Sequence, residues 1–348
     1  DRAEGFVFGF SKLDVMFGRT LPEAVLHPYR HIDRPGVRFV QAAVTGIDPE
    51  RRSVDTDVGT FEGDVVVVAL GADLDPSATP GLTEAGYEFY TTAGAYALRH
   101  VLADFDGGHV VVGVTSTPFK CPPAPSETVL LLHDLFTRRG IRQDCAISLV
   151  MPLGVPIPPS PAASEALLAA FDERSIAWHP NRLVRRLDAE RRVAVFDDAT
   201  EMPFDLFLGV PRHVVPPVVA ASGLAVDGWI PVDPRTLETR FPGVYAVGDV
   251  TSVGTPKAGV FSEGQAAVVA ARLVARQHGH DSDHAYDGSG VCYLEFGGDA
   301  VGRVEVTFLS GQPPAGALHG PSEQIAAEKG EFGRTRIQRW FDREWQTL

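Results

Sequence analysis

Hydrophobic and polar positions fall into three kinds of pattern along the chain. Unbroken apolar runs at Val65–Ala72, His109–Gly113 and Ala146–Met151 read as strands buried on both faces of a sheet. Shorter strands are expected at 53–60 and 61–69, around Ile176, Val193 and Leu206, and at 243–247. Helical spacing covers 127–139, 164–174, 264–277 and the tail, 323–348. Ser126, with Glu127 behind it, opens the first of these helices and Gly140 stops it. Strand, helix and strand with short loops make a parallel βαβ unit. Past the polar stretch 278–287, Val291–Glu295 and Arg303–Leu309 alternate like an antiparallel hairpin. The fold expected is α/β, with two Rossmann-like domains and a C-terminal α+β segment.

Composition narrows the possibilities. At 348 residues the chain exceeds one ordinary core, and 44% hydrophobic with 22% charged residues excludes general disorder. A net charge of −14 has the wrong sign for a nucleic-acid binder. No apolar run approaches the roughly 18 residues of a membrane span. Three cysteines, Cys121, Cys145 and Cys292, cannot build a disulfide scaffold, so those that matter should matter chemically. No secretory signal is visible, and a cytoplasmic location is expected, with peripheral membrane contact as the variant.

Two short motifs carry chemistry. One apolar run ends in Ala69-Leu70-Gly71, and a later strand ends in Gly248-Asp249 ahead of a helix. Glycine lets backbone approach a bulky cofactor, an acid at a strand end accepts hydrogen bonds from sugar-type hydroxyls, and a helix N-terminus favours anions. Either motif alone is ordinary turn chemistry. Together, in this order and about 180 residues apart, they resemble the paired FAD motifs of the two-dinucleotide-domain flavoproteins. That resemblance implies FAD, with Asp249 on the ribityl chain and the Val44 backbone at the adenine. It implies domains at 1–95 and 215–283 for FAD, a nicotinamide-like insertion at 96–214, and an interface segment at 284–348. The family's first βαβ unit, with its Gly-rich phosphate loop, has no counterpart. Asp1 falls where the adenosine-ribose acid would stand, so about 30–40 residues are expected to precede it in a complete FAD domain.

The insertion lacks the glycines a pyrophosphate needs. Gly113 is followed by Val-Thr-Ser-Thr-Pro, whose side chains block backbone approach and whose proline removes a donor. In place of that loop stands Thr117-Pro-Phe-Lys-Cys-Pro-Pro-Ala-Pro-Ser-Glu127, which resembles the "TPYKCPPAPYE" segment of flavocytochrome c sulfide dehydrogenase and sulfide:quinone oxidoreductase. Val291-Cys292-Tyr293 resembles their "NTCYS" segment, and Pro256-Lys257-Ala258-Gly259 their flavin-edge "PKSG". The resemblance implies Cys121 and Cys292 as a redox pair, oxidised as a disulfide or through bridging sulfur, with Lys257, Ala258 and Gly259 at the flavin. Cys121, beside Lys120 and before a helix start, is expected to have a lowered pKa. Cys145, at the start of a buried strand, is read as structural. His213 is either a proton relay or a satisfied structural histidine, and Glu127 either an acid–base group or a helix cap. His278, His280 and His284 suit a solvated linker better than a metal site. Residues 1–120 hold no cysteine for covalent flavin attachment.

The function implied is oxidation of sulfide or a related sulfur species, with electrons leaving to a quinone or cytochrome. The rivals are an NADH dehydrogenase-like or ferredoxin reductase-like flavoenzyme and a non-catalytic scaffold of the same fold. In the tail, Arg334, Arg336, Arg339 and Arg343 accompany Trp340, Phe341 and Trp345. This is either an aromatic stripe packed on the protein or on a second copy in a homodimer, or a helix lying in a membrane surface.

Overall fold

The computed structural model describes residues 1–344 apart from Asp33 and Ser310. Its largest element is a five-stranded parallel sheet in the order Ile176–His179, Cys145–Val150, Gly108–Val114, Leu206–Val210, Tyr87–Glu88. The valine run at its centre is buried on both faces. Val110, Val112 and Val114 enter a core with Leu98, Leu130, Phe136 and Phe171 from the flanking helices. Val111 points the other way, into a second core with Phe196, Phe204 and Phe207. Alternate side chains of one strand thus serve opposite faces.

The helix after the central strand is Ala124–Arg138, opening earlier than expected. Ser126 does not cap it: Pro123 stands at the N-cap, and no side chain caps the helix. Proline suits a first turn because its missing N–H would have no intrahelical partner there. Ser126 and Glu127 are left buried inside the first turn, free of any capping duty.

The strand at Val66–Val68 differs from expectation. Among the described residues it pairs only with Val244–Ala246, in parallel, and Val67 is 43% exposed, so it is not covered on both faces. A valine run dictates an extended chain but not the number of its neighbours. The stretch 53–60 is likewise broken, into Ser53–Thr56 and Gly59–Glu62, which form a meander with Val44–Asp48. An unexpected helix, Gly9–Met16, buries Leu13, Val15 and Met16 and packs on the Thr92–Asp104 helix.

The C-terminal segment holds three antiparallel strands rather than a hairpin: Ser289–Gly297, Ala300–Thr307 and Ala315–Ser322. The Ser322 hydroxyl caps the following helix, Glu323–Phe341, by accepting the Ile325 N–H at 3.3 Å. Its buried stripe recurs every fourth residue, Ile325, Lys329, Gly333, Ile337 and Phe341, with a lysine in the middle. Trp340 packs on Phe6 and Phe8, with ring centroids 5.7 Å from each, and Arg336 and Arg339 both bind Glu263. These groups are engaged within the chain, which favours the packed stripe over the membrane-surface helix; Trp345 lies outside the described residues. Among the described residues, no helix is long and apolar enough to cross a membrane.

Candidate functional site

The cysteine-bearing loop is tied to the rest of the protein by its backbone. The Cys121 N–H donates to the Lys257 carbonyl at 2.7 Å, its own carbonyl accepts the Ala124 N–H at 2.8 Å, and Lys120 and Lys257 form an isolated parallel bridge. Lys120 Nζ reaches the Ala72 carbonyl at 2.8 Å, just past Gly71. Cys121 itself sits at φ 46°, the left-handed region that an L-residue enters only under constraint. The loop is thus clamped onto the chain just past Gly71 and onto the segment that follows Gly248-Asp249.

Cys121 and Cys292 are free thiols, half-buried, and Cys292 is close enough to affect the ionisation of Cys121. The lowered pKa expected for Cys121 is overturned. Burial pushes it well above the ordinary thiol range, and Glu127 and Cys292 push the same way, while Lys12 pulls against them. Burial, then Glu127, pushes Cys292 up to about 12. A helix N-terminus and a neighbouring lysine lower a thiol only where water or another donor can carry the anion, and desolvation outweighs them here.

On one side of the pair lies Asp249 with three lysines. One Asp249 carboxylate oxygen is buried without a hydrogen-bond partner, and burial raises the group while Lys120, Lys257 and Lys12 pull it down. Lys257 donates to the Asp249 carbonyl at 2.6 Å and the Thr251 carbonyl at 3.0 Å, with its Nζ 3.3 Å above the centre of the Trp229 ring. Burial lowers both Lys12 and Lys257 to about 8, and the repulsion of Lys120 adds to each. Gly248 turns at φ 81°, where a Cβ would come within 2.9 Å of the Ser262 hydroxyl.

On the other side Glu127 anchors a network of buried charges. Its carboxylate accepts the Glu295 N–H at 3.0 Å; Glu295 binds Lys329 and, at 3.2 Å, Arg19, which also meets Asp14 at 3.4 Å. Three acids face two permanent cations, so the network is neutral only when one acid holds a proton. Glu127 is the acid best placed to hold it, although burial raises Asp14 too. Burial pushes it up to about 7, while Lys329 and Arg19 hold Glu295 below the usual carboxylate range against the opposing push of burial.

His213 is buried. Its Nδ1 donates to the Pro211 carbonyl at 2.9 Å, and Nε2 has no partner. Burial, then Lys120, lowers it to about 4, so it is neutral at pH 7. Its ring stands edge-on to Tyr90 at 5.3 Å. Ala258 caps, and Gly259 starts, the Gly259–Gln277 helix beside this site. Ala69 is exposed, Gly71 turns at φ 68° with open space beside it, and Val44 begins the first strand of the meander. Asp1 is exposed, and its carboxylate accepts the Ala3 N–H at 2.8 Å. Cys145 is buried in its strand. Gly113 serves packing: a Cβ there would stand 2.6 Å from the Phe207 ring. No group of His, Cys, Asp and Glu suited to a metal occurs among the described residues.

Sequence reasoning missed Lys12, Tyr90, Glu295 and Lys329. Lys329 had a signal, a lysine inside an apolar stripe of spacing four, and so did Glu295, between Leu294 and Phe296 in a strand buried on both faces. Lys12 and Tyr90 had none, since only long-range packing brings them here.

The split parallel α/β architecture, with an acid at a strand end, is of the dinucleotide-binding fold class. Residues 145–274 match the family described as pyridine nucleotide-disulphide oxidoreductase. Within that class the chain is similar to sulfide:quinone oxidoreductases. It is 26% identical to the mitochondrial enzyme of Dictyostelium discoideum over 275 residues, covering 74% of this chain and 60% of the relative. It is 26% identical to sulfide-quinone reductase of Aquifex aeolicus over 335 residues, 88% of this chain and 74% of the relative. The solved structure of the sulfide:quinone oxidoreductase from Aquifex aeolicus superposes with a TM-score of 0.83 at 19% identity, over 97% of this chain and 88% of that one. The chain thus spans about three fifths of the Dictyostelium protein's length. The orphaned Asp249 oxygen, the tight Gly248 turn and the surplus of lysines suit an anionic, hydroxyl-bearing group.

Proposed function

We propose that the protein oxidises sulfide or a closely related sulfur species through Cys121 and Cys292, with FAD as its cofactor and a quinone as the electron acceptor. In the oxidised state the two cysteines are bridged. Hydrosulfide attacks one cysteine sulfur, forms a new S–S bond there and breaks the bond to the other, which leaves as a thiolate. Both sites disfavour an anion, so the departing sulfur takes a proton, and Glu127 is the group placed to give it. Closing the bridge again around the added sulfur releases two electrons and two protons. The flavin, when bound at the Asp249 side, supplies the two-electron sink.

The observation that carries this reading is that Glu127 acts electrostatically on both Cys121 and Cys292, and Cys292 on Cys121, although 171 residues separate the cysteines. The clamp of Cys121 onto the Lys257 carbonyl supports it by fixing that group at the cofactor side. The test is anaerobic titration of flavin-loaded full-length protein, followed near 450 nm. Sulfide should bleach the flavin, and Cys121→Ser and Cys292→Ser should each slow bleaching by at least about 100-fold, as loss of a covalent nucleophile does. Bleaching by NADH faster than by sulfide, unaffected by either substitution, would reject the proposal in favour of a nicotinamide-dependent flavoenzyme.

A further inference from the structure

Tyr90 has a contradiction built into it. The residue is only 6% exposed, and its hydroxyl is buried with no hydrogen-bond partner. An unpaired buried hydroxyl costs stability, and phenylalanine would fill the same space without that cost. The rest of the residue is held firmly. Its N–H donates to the Glu88 carboxylate at 2.7 Å, its carbonyl accepts from Lys12 Nζ, and its ring packs on Phe89 and against His213. The backbone and ring are fixed, and the hydroxyl is left free.

That hydroxyl stands within electrostatic reach of Cys121. Tyr90, Phe119 and Ala124 share one core cluster with Cys121 packed against it, and the charges of Cys121 and Glu127 both act on the phenol. The groups acting on the Cys121 sulfur are Glu127 and the Ala124 N–H (which the Cys121 carbonyl also takes, at 2.8 Å) from the Ala124–Arg138 helix, Cys292 from the Ser289–Gly297 strand, and Lys12 from the Gly9–Met16 helix, while Cys121 in turn acts on Tyr90. Of these, Glu127 and Cys292 oppose a negative sulfur, and Lys12 spends a proton on the Tyr90 carbonyl. Burial, with Cys121 and Glu127 adding to it, raises the phenol well above its usual range, so it stays a donor wherever the enzyme works. A neutral donor that cannot ionise is suited to holding an anion without trading protons with it.

We propose that the Tyr90 hydroxyl is a catalytic hydrogen-bond donor to anionic sulfur at Cys121, engaging the hydrosulfide as it attacks and the thiolate or persulfide that results. The assignment of hydrosulfide rests on the proposed function; the donation to a Cys121 thiolate does not. The donor is made ready in the resting state at a cost to stability and finds its partner only when sulfur there becomes negative.

The experiment uses Tyr90→Phe in the full-length protein, with three readouts: thermal midpoint, the pH profile of Cys121 alkylation by iodoacetamide in the reduced protein (followed on the Cys121 peptide by mass spectrometry), and the rate at which hydrosulfide opens the oxidised pair. The proposal expects an unchanged or higher midpoint, a Cys121 profile shifted about one pH unit upward, and pair opening slowed about tenfold, the worth of one hydrogen bond to a charged group. A raised midpoint with an unshifted profile would overturn it, because the hydroxyl would then be only a packing flaw. A midpoint lowered by several degrees would also overturn it, because the hydroxyl would have a structural partner. If hydrosulfide fails to open the pair in the unsubstituted protein while the alkylation profile still shifts in Tyr90→Phe, the sulfide reading falls and the donor role at the thiolate stands.

Discussion

Two groups of buried charges act on Cys121, and they are opposite in sign. Around Asp249, three lysines face one carboxylate that lacks a full set of partners. Around Glu127, three acids face two cations. Burying unbalanced charge is expensive, so each imbalance calls for a compensating particle. On the lysine side it is a negatively charged group brought in from outside. On the Glu127 side it is a proton already held by the protein. In the proposed function, the first group would receive an anion and the second would donate a proton to the sulfur chemistry.

The strongest way to break this contrast is to remove a cation from the side that is already short of one. Lys329→Met leaves Glu295, Asp14 and Glu127 with Arg19 alone, and should cost about 3–5 kcal/mol in urea unfolding, as stripping one partner from a buried pair does. The loss should be greater at pH 8 than at pH 5.5, where the acids can take up protons. Lys329→Arg should recover most of it. A loss under about 1 kcal/mol would mean that water reaches the network.

The next prediction reads the held proton itself. The folded pKa of Glu127 is about 7, above the 4.5 of an unstrained glutamate, so the folded state binds more protons between these values. Stability therefore falls as pH rises through that window, by about 3 kcal/mol in all. In Glu127→Gln this slope should vanish, so the stability difference between variant and parent should grow by about 3 kcal/mol from pH 4.5 to 8. Parallel curves would place the proton on another acid.

A smaller effect probes the lysine side. Asp249→Asn should weaken flavin binding by tenfold or more, roughly 1.4 kcal/mol, through the loss of a charged acceptor. Fluorescence titration with FAD measures it, and unchanged affinity would remove Asp249 from the cofactor site.

Much of the layout could be read from the chain. The paired glycine and acid motifs, the two cysteine segments and most buried strands were legible because their information is local. What failed was local too, but in another sense. Cys121 was judged by its neighbours in sequence, Lys120 and a helix start, when its ionisation is governed by Glu127, Cys292 and the exclusion of water, all settled by tertiary packing. Val65–Ala72 was judged by its apolarity, which says nothing of how many strands lie alongside. The Gly9–Met16 helix escaped because its buried positions, Leu13, Val15 and Met16, follow no clear helical stripe.

The backbone bond from Cys121 to the Lys257 carbonyl has a practical consequence. A single hydrogen bond joins the Cys121 backbone to the segment proposed to border the cofactor. Whatever settles that segment will be felt at the sulfur, which makes the labelling rate of Cys121 a built-in gauge of cofactor loading, readable in samples too dilute or too turbid for flavin absorbance.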